Sequence, residues 1–270
     1  MFDGVQCPCI LLQLIATGKP LSTAGMMIED RTRTYTIAME RTVVPENFSF
    51  RMTDEEYRVL EKIKNSIPVC YLADHADFAL GIVTGNNKKF LSTEKTEHSE
   101  MVLKGTDICK YHINPAKQYL RFEPEQFQQV APLEIYRAPE KLLYRFISNQ
   151  LVVAYDDRQM LSLNSCNIVI PKIEGMQIKY ILAILNSSVS QFVYQKEFHS
   201  IKVLRAHMEH IPIPRVGKAI QNEIIAMTEP LICGMGKEAA ETCQKRLDCR
   251  IMDLFRLSAE EQWIIRHALH

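Results

Sequence analysis

Residues 80–91 read LGIVTGNNKKFL, and the reading of this stretch organises the rest of the chain. Leu80, Ile82 and Val83 are apolar, and Phe90-Leu91 return to apolar character. Between them, Thr84-Gly85-Asn86-Asn87 carries turn chemistry, because Gly and Asn tolerate positive φ at little cost. The stretch therefore reads as a strand, a turn and a second short strand, a hairpin with amides and two cations, Lys88 and Lys89, at its tip. Amide side chains can read base edges and lysines can hold phosphates. The competing reading is a solvated surface turn.

The surrounding chain sets the bounds. At 270 residues it is long enough for a sizeable core and two units. It is 47% hydrophobic and 24% charged, the texture of a soluble globular protein. Charge balances overall at 32 against 32, but residues 81–215 hold 17 Lys+Arg against 13 Asp+Glu, a net of +4. That excess fits a local patch better than a basic domain. No run reaches the ~18 apolar residues of a membrane span. The opening MFDGVQCPCILLQLIATG lacks the basic segment of a signal peptide. Cys7, Cys9, Cys70, Cys109, Cys166, Cys233, Cys243 and Cys249 form no paired CxxC framework and read as reduced core thiols of a cytoplasmic protein.

In chain order, 9–15 (CILLQLI) reads as a buried strand, 18–33 as a polar loop and 34–39 (TYTIAM) as a strand. Thr53 with Glu56 forms a capping box, with Met52 and Tyr57 at the staple positions, and opens a helix to about Asn65. Short strands follow: 102–111 around a Gly-Thr-Asp turn, 118–122, 141–147, 150–156 and 164–171. Ser148-Asn149 reads as a two-residue hairpin turn, with a short helix over 140–146 as the alternative. Residues 176–195 have the period of one helix, and 211–214 (IPIP) are extended. After Arg215 the pattern is helical. Pro230 and Gly234-Met-Gly236 read as interrupting or kinking the first helix, and Ser258 with Glu261 caps a last helix.

The ordered series LGIVTGNNKKFL, VLKGTDICKY, YLRF, LLYRFISNQLVVAYDDR, NSCNIVI, YILAILNSSVSQFVY and HIPIP resembles the TaqI-like C-terminal specificity domain over about residues 70–215. This is the target recognition domain of adenine-N6 DNA methyltransferases and of fused type II restriction–modification enzymes. The tail CQKRLDCRIMDLFRLSAEEQWII is similar to helical segments of type I specificity subunits. The opening resembles the last strands of a methyltransferase domain. The resemblance implies an α+β fold: a methyltransferase remnant and linker helix over 1–68, a β-rich target recognition domain over 69–215, and a helical tail over 216–270. It implies double-stranded DNA and a catalytic methyltransferase domain or subunit as partners. S-adenosylmethionine would belong to the parent enzyme and not to this chain. The chain departs from the whole enzyme in having no Gly-rich cofactor loop and no Asn-Pro-Pro-Tyr motif. The nearest string, His112-Ile-Asn-Pro115, lacks the second proline and the aromatic residue. With Met1 as its start, the chain would be a recognition fragment or subunit.

On this reading, Lys88, Lys89, Lys104, Lys110, Arg145 and Arg158 hold phosphates while Asn86 and Asn87 read bases, an amide suiting adenine N6/N7. Arg145 is alternatively a cross-strand partner of Asp156 or Asp157. Metal sets drawn from Cys7/Cys9, His207/His210 or Cys243/Cys249 lack the four paired ligands of a structural zinc. A nucleophile, base and acid drawn from Cys166, His199 and Asp156 has no local signature. Asp156-Asp157 reads as a turn after a strand. The alternative function is a protein-interaction or oligomerisation module built on the C-terminal helices.

Overall fold

The computed structural model describes Leu11, Gln13 and residues 22–29, 33–41, 51–198 and 200–269. The chain divides into two compact units, Met1–Phe50 and Arg51–His270. In the first, β1 (Met26–Glu29) pairs antiparallel with β2 (Thr34–Ile37), with Met26 opposite Ile37. Thr23 closes the open end: its Oγ1 donates to the Met39 carbonyl at 3.0 Å and accepts from the Arg41 amide at 2.8 Å. The segment expected to be all loop thus contains β1, whose alternating MMIE burial supplies the second strand of a ribbon. The strand expected over 9–15 lies outside the described residues apart from Leu11 and Gln13, which are exposed.

The second unit opens with α1 (Asp54–Asn65), and both halves of the Thr53/Glu56 capping box are formed. Val59, Leu60 and Ile63 are its buried face. The remaining strands and short helices follow in order: β3 (Val69–Cys70), β4 (Ala76–Ala79), α2 (Asn87–Phe90), β5 (Leu91–Ser92), β6 (Ser99–Leu103), β7 (Tyr119–Arg121), α3 (Leu133–Tyr136), β8 (Lys141–Arg145), β9 (Val153–Asp156), β10 (Leu161–Ser162) and β11 (Cys166–Pro171). Then come α4 (Ile178–Asn186), α5 (Ser188–Glu197), α6 (Arg205–Glu209), β12 (Ile213–Pro214), α7 (Lys218–Cys233), α8 (Lys237–Leu254) and α9 (Ala259–Ala268). The fold is α+β, and α1, strands β3 to β12 and the C-terminal helices belong to one compact unit.

A central antiparallel sheet, in the order β4-β11-β8-β9, is buried on both faces. Leu142, Tyr144, Val153, Tyr155 and Val169 join the core built with α1, α4, α5, α7, α8 and α9. Leu143, Ala154, Cys166 and Ile168 point the other way, into a core shared with Ile82, Val102, Leu120, Phe127, Tyr136 and Leu161. A second sheet, β10-β6-β7-β5, covers that face. Period-two alternation with both sets apolar explains why Leu142-Leu-Tyr144 reads as a continuous apolar run, and the strand Lys141–Arg145 excludes the helical alternative over 140–146.

The β8–β9 register is centred on Ser148-Asn149, as expected, but its last register pair is Tyr144 with Val153. Phe146 and Ser148 turn away instead: their amides donate to the Ser165 and Ile201 carbonyls. The helix expected over 176–195 is two helices. Ser187 ends α4 and caps α5, accepting from the Ser190 amide and donating to the Ile184 carbonyl at 2.7 Å. The preceding Asn186 grips β9, accepting from the Val153 amide at 3.1 Å and donating to its carbonyl at 2.8 Å. Of the features expected to interrupt or kink the helix after Arg215, Gly234 to Gly236 separates α7 from α8, while Pro230 lies inside α7. It and Ala226, whose carbonyl loses its i+4 donor, are both exposed, which leaves that carbonyl open to solvent. Nor are all the thiols in the core: Cys70 and Cys166 are buried, but Cys233 and Cys249 are exposed.

Lys141 and Asp156, register partners on β8 and β9, form a fully buried ion pair at 2.5 Å. Lys141 also donates to the Tyr136 carbonyl at 2.6 Å. Asp156 accepts the Arg158 and Met160 amides at 2.9 and 3.0 Å, which builds the turn read from the sequence. The partner of Asp156 is therefore Lys141 and not Arg145. Burial depresses the Lys141 pKa, and the Asp156 charge partly restores it. Lys141→Met is expected to cost about 3–5 kcal/mol, because it strands a buried carboxylate. Adding Asp156→Asn removes that charge and recovers part of the loss. Urea unfolding of both variants reads the difference.

Candidate nucleic-acid interface

The chain leaves the central sheet at Gly81. A Cβ there would lie 2.2 Å from the Leu163 carbonyl oxygen, so only glycine fits the crossing. Beyond it Ile82 joins the second core, its amide donating to the Ser162 carbonyl at 2.7 Å. Val83 exchanges backbone bonds with Gln129 at 2.8 and 3.1 Å. The stretch 80–91 is thus no hairpin. Its two apolar pieces pair with other segments, and Asn87–Phe90 form a helical turn. Gly85 has φ +76°, whereas Asn86, at φ −150°, caps that turn. Phe90 anchors the far end, edge-on to Phe127 with centroids 5.4 Å apart.

The amides at the tip are partly engaged. Thr84 donates to Asn87 Oδ1 at 2.6 Å, and the Lys89 amide donates to Asn86 Oδ1 at 3.2 Å. What the tip presents outward is the two Nδ2 groups, donors suited to acceptors such as guanine O6/N7 or thymine O4. Bidentate pairing with adenine needs the same oxygens to accept a second time. Lys88 and Lys89 are exposed, and among the described residues neither joins a carboxylate; Lys89 Nζ lies 4.6 Å from the Phe90 ring centre.

The other expected contacts lie apart. Arg158 is exposed on the turn after β9, next to Gln159, whose carbonyl is held by Arg137 at 2.7 Å. Lys104 is half-buried before the 105–107 turn, its amide donating to Asp107 at 2.9 Å. Arg145 braces the same turn from beneath. Its Nη2 donates to the Ile108 carbonyl, its Cγ packs beside Gly105, and its Nε is buried without an acceptor. Lys110 faces the helical side, donating to the Asn186 carbonyl at 3.3 Å. Burial lowers its pKa, opposed by Asp248.

The sequence reading missed the exposed amides of Gln128 and Gln129, which the Val83 bridge sets alongside the tip. The string Gln126-Phe-Gln-Gln129 was the available signal. Cys166 is fully buried, with its thiol pushed well up by burial, and Asp156 is taken by Lys141; His199 lies outside the described residues. Among the described residues no three His, Cys, Asp or Glu gather as a metal cluster, and no helix is long and apolar enough to cross a membrane.

A family model matches part of the second unit. Residues 100–213 match the TaqI-like C-terminal specificity domain. The specificity domain so defined starts later than the expected residue 70, and takes in Lys104, Lys110, Arg145 and Arg158 but not the 86–89 tip. No curated protein matches the chain.

Among solved structures, the type IIL restriction–modification enzyme MmeI, solved in complex with DNA, is similar at 11% identity and TM-score 0.50, covering 74% of this chain and 35% of that one. At that identity the likeness is one of fold. A type I restriction–modification complex is similar at 12% identity and TM-score 0.43, covering 80% and 52%. The HsdS subunit from Thermoanaerobacter tengcongensis is similar at 13% identity and TM-score 0.39, covering 80% and 50%. The chain spans about half or less of the length of these proteins.

Gly81 fixes how the tip hangs from the specificity domain. Gly81→Ala is expected to cost more than about 2 kcal/mol, because the clash is with backbone and cannot be relieved by a rotamer change. Chemical denaturation, with circular dichroism to confirm folding, measures it.

Proposed function

We propose that this chain supplies sequence-specific recognition of double-stranded DNA to a restriction–modification enzyme whose catalysis is adenine-N6 methylation. The observation that carries this reading is the match of residues 100–213 to a specificity domain. Exposed cations within and beside that domain support it: Arg158 inside it and Lys88 and Lys89 just before it have the character of phosphate contacts, and Asn86, Asn87, Gln128 and Gln129 that of base-edge readers. Lys104 lies at the margin of this surface. Arg145 and Lys110 act as supports, since each is held by a backbone carbonyl. The partner is a methyltransferase domain or subunit, which would bring the S-adenosylmethionine site, and a DNA substrate accords with a cytoplasmic location.

Charge and amides have separable effects. Phosphate contacts carry no sequence information, so Lys88→Ala with Lys89→Ala is expected to weaken duplex binding about equally on all sequences and to reduce the salt slope by up to ~2. Asn86→Ala and Asn87→Ala should leave the salt slope unchanged and narrow the gap between cognate and non-cognate duplexes. Fluorescence anisotropy over a salt series, on the chain joined to its methyltransferase partner, measures both. Parallel losses in both pairs would reduce the tip to an electrostatic patch. Loss in neither pair would move the reading surface toward Arg158.

A further inference from the structure

The turn Leu163-Asn-Ser-Cys166 joins β10 to β11 and is closed by the Cys166 amide, which donates to the Leu163 carbonyl at 2.7 Å. Four bonds from other segments fix its backbone and its Ser165 hydroxyl. The Leu163 amide donates to the Leu103 carbonyl at 2.8 Å, and the Asn164 amide to the Ile82 carbonyl at 3.0 Å. The Ser165 carbonyl accepts the Phe146 amide at 3.0 Å, and Ser165 Oγ accepts the Gly105 amide at 3.0 Å. The approach is close: a Cβ on Gly105 would lie 2.5 Å from the Ser165 carbonyl oxygen.

On this pinned turn the Asn164 side chain is exposed, and among the described residues it hydrogen-bonds to nothing. Asparagine commonly serves a turn by bonding its own backbone or by taking positive φ. Asn164 does neither, since its φ is not positive and its amide is free. The turn therefore does not need this residue for its shape.

The contrast with the tip is chemical. The oxygens of Asn86 and Asn87 already accept from the Lys89 amide and the Thr84 hydroxyl, so those residues offer donors alone. Asn164 offers an acceptor and a donor together. Asn149 is also exposed with a free amide, but among the described residues no backbone bond of its own holds it in place. A cation stands beside Asn164 as well. Lys104 lies between Leu103 and Gly105, both bonded to the turn, and among the described residues its ammonium joins no carboxylate. Thr106, next along, is exposed.

We propose that Asn164 reads an adenine in the major groove, its Nδ2 donating to N7 and its Oδ1 accepting from N6, while Lys104 holds a neighbouring phosphate. This rests on the recognition function proposed above and sharpens it, placing a base reader inside the matched span of residues 100–213. The fixed backbone means that little freedom is lost when the amide engages a base. Asn86 is four residues beyond Ile82, a reach of at most ~14 Å, which is less than the ~34 Å of one duplex turn. Asn164 and the tip can thus address one short site.

The test uses the full chain with its methyltransferase partner. Selection of duplexes from a random library defines the preferred site, and fluorescence anisotropy over a salt series gives affinities. In Asn164→Ala, preference for adenine should fall about tenfold or more at one position and persist at the others, with the salt slope unchanged. Asn164→Asp keeps an acceptor but loses the donor to N7, and should shift that position toward cytosine, whose N4 donates. Placing 7-deazaadenine at that position should weaken the parent protein and leave Asn164→Ala indifferent. Lys104→Met should weaken all sequences alike and lower the salt slope by ~1. An unchanged preference in folded Asn164→Ala overturns the proposal, and so does an equal loss at every position, which would mark Asn164 as structural. A parent protein with no sequence preference at all overturns the recognition function itself, so the two readings fail separately.

Discussion

The Lys141–Asp156 pair sits where three things meet: the register of β8 on β9, the carbonyl that ends α3, and the turn that delivers β10. Both charges are withdrawn from water, which is costly unless their remaining hydrogen-bonding capacity is used. Here it is used by backbone. Tyr136 offers its carbonyl, and Arg158 and Met160 offer their amides. Slipping β8 by one residue would put Lys141 into the aliphatic helical core and leave Asp156 facing Leu142 or no partner. The pair therefore specifies a register more than it adds net stability.

That register matters because the central sheet has no idle face. Leu142 and Tyr144 pack on helices, and Leu143 packs under the second sheet. A register error would exchange the two sets at once. The edge at β9 is closed as well, by Tyr111, which pairs alongside Ala154, and by the side-chain amide of Asn186. An amide that accepts and donates to one residue's backbone imitates a neighbouring strand, and it leaves β9 little edge to offer another chain.

Much of this was legible. Both capping boxes, at Thr53/Glu56 and Ser258/Glu261, form as the sequence indicates, because a cap depends only on residues three apart. The centre of the β8–β9 pairing was legible at Ser148-Asn149, and that centre places Lys141 directly opposite Asp156. The charge partner was nevertheless sought at Arg145, a nearer cation that braces the 105–108 turn. What stayed hidden is non-local. Gly81 looks like any strand glycine until the Leu163 backbone is set against it. The break at Ser187 was written in Asn186-Ser-Ser, polar residues with capping chemistry inside an apolar run, but the helical period on either side masked it. At the tip, Gly85, Asn86 and Asn87 are exposed as read while Thr84 is buried, and the pairing into a hairpin was an extrapolation from sequence adjacency.

The segment Thr84–Lys89 satisfies itself. Thr84 bonds Asn87 and Asn86 bonds Lys89, while the pieces that hold it in place, Ile82-Val83 and Phe90, lie on either side. No core packing depends on the identity of Asn86, Lys88 or Lys89. Lys88 and Lys89 can therefore change at little cost in folding energy, whereas changing Asn86 gives up the cap of the helical turn. A lineage that keeps Gly81, Asn86 and Phe90 can change this surface without first having to regain stability.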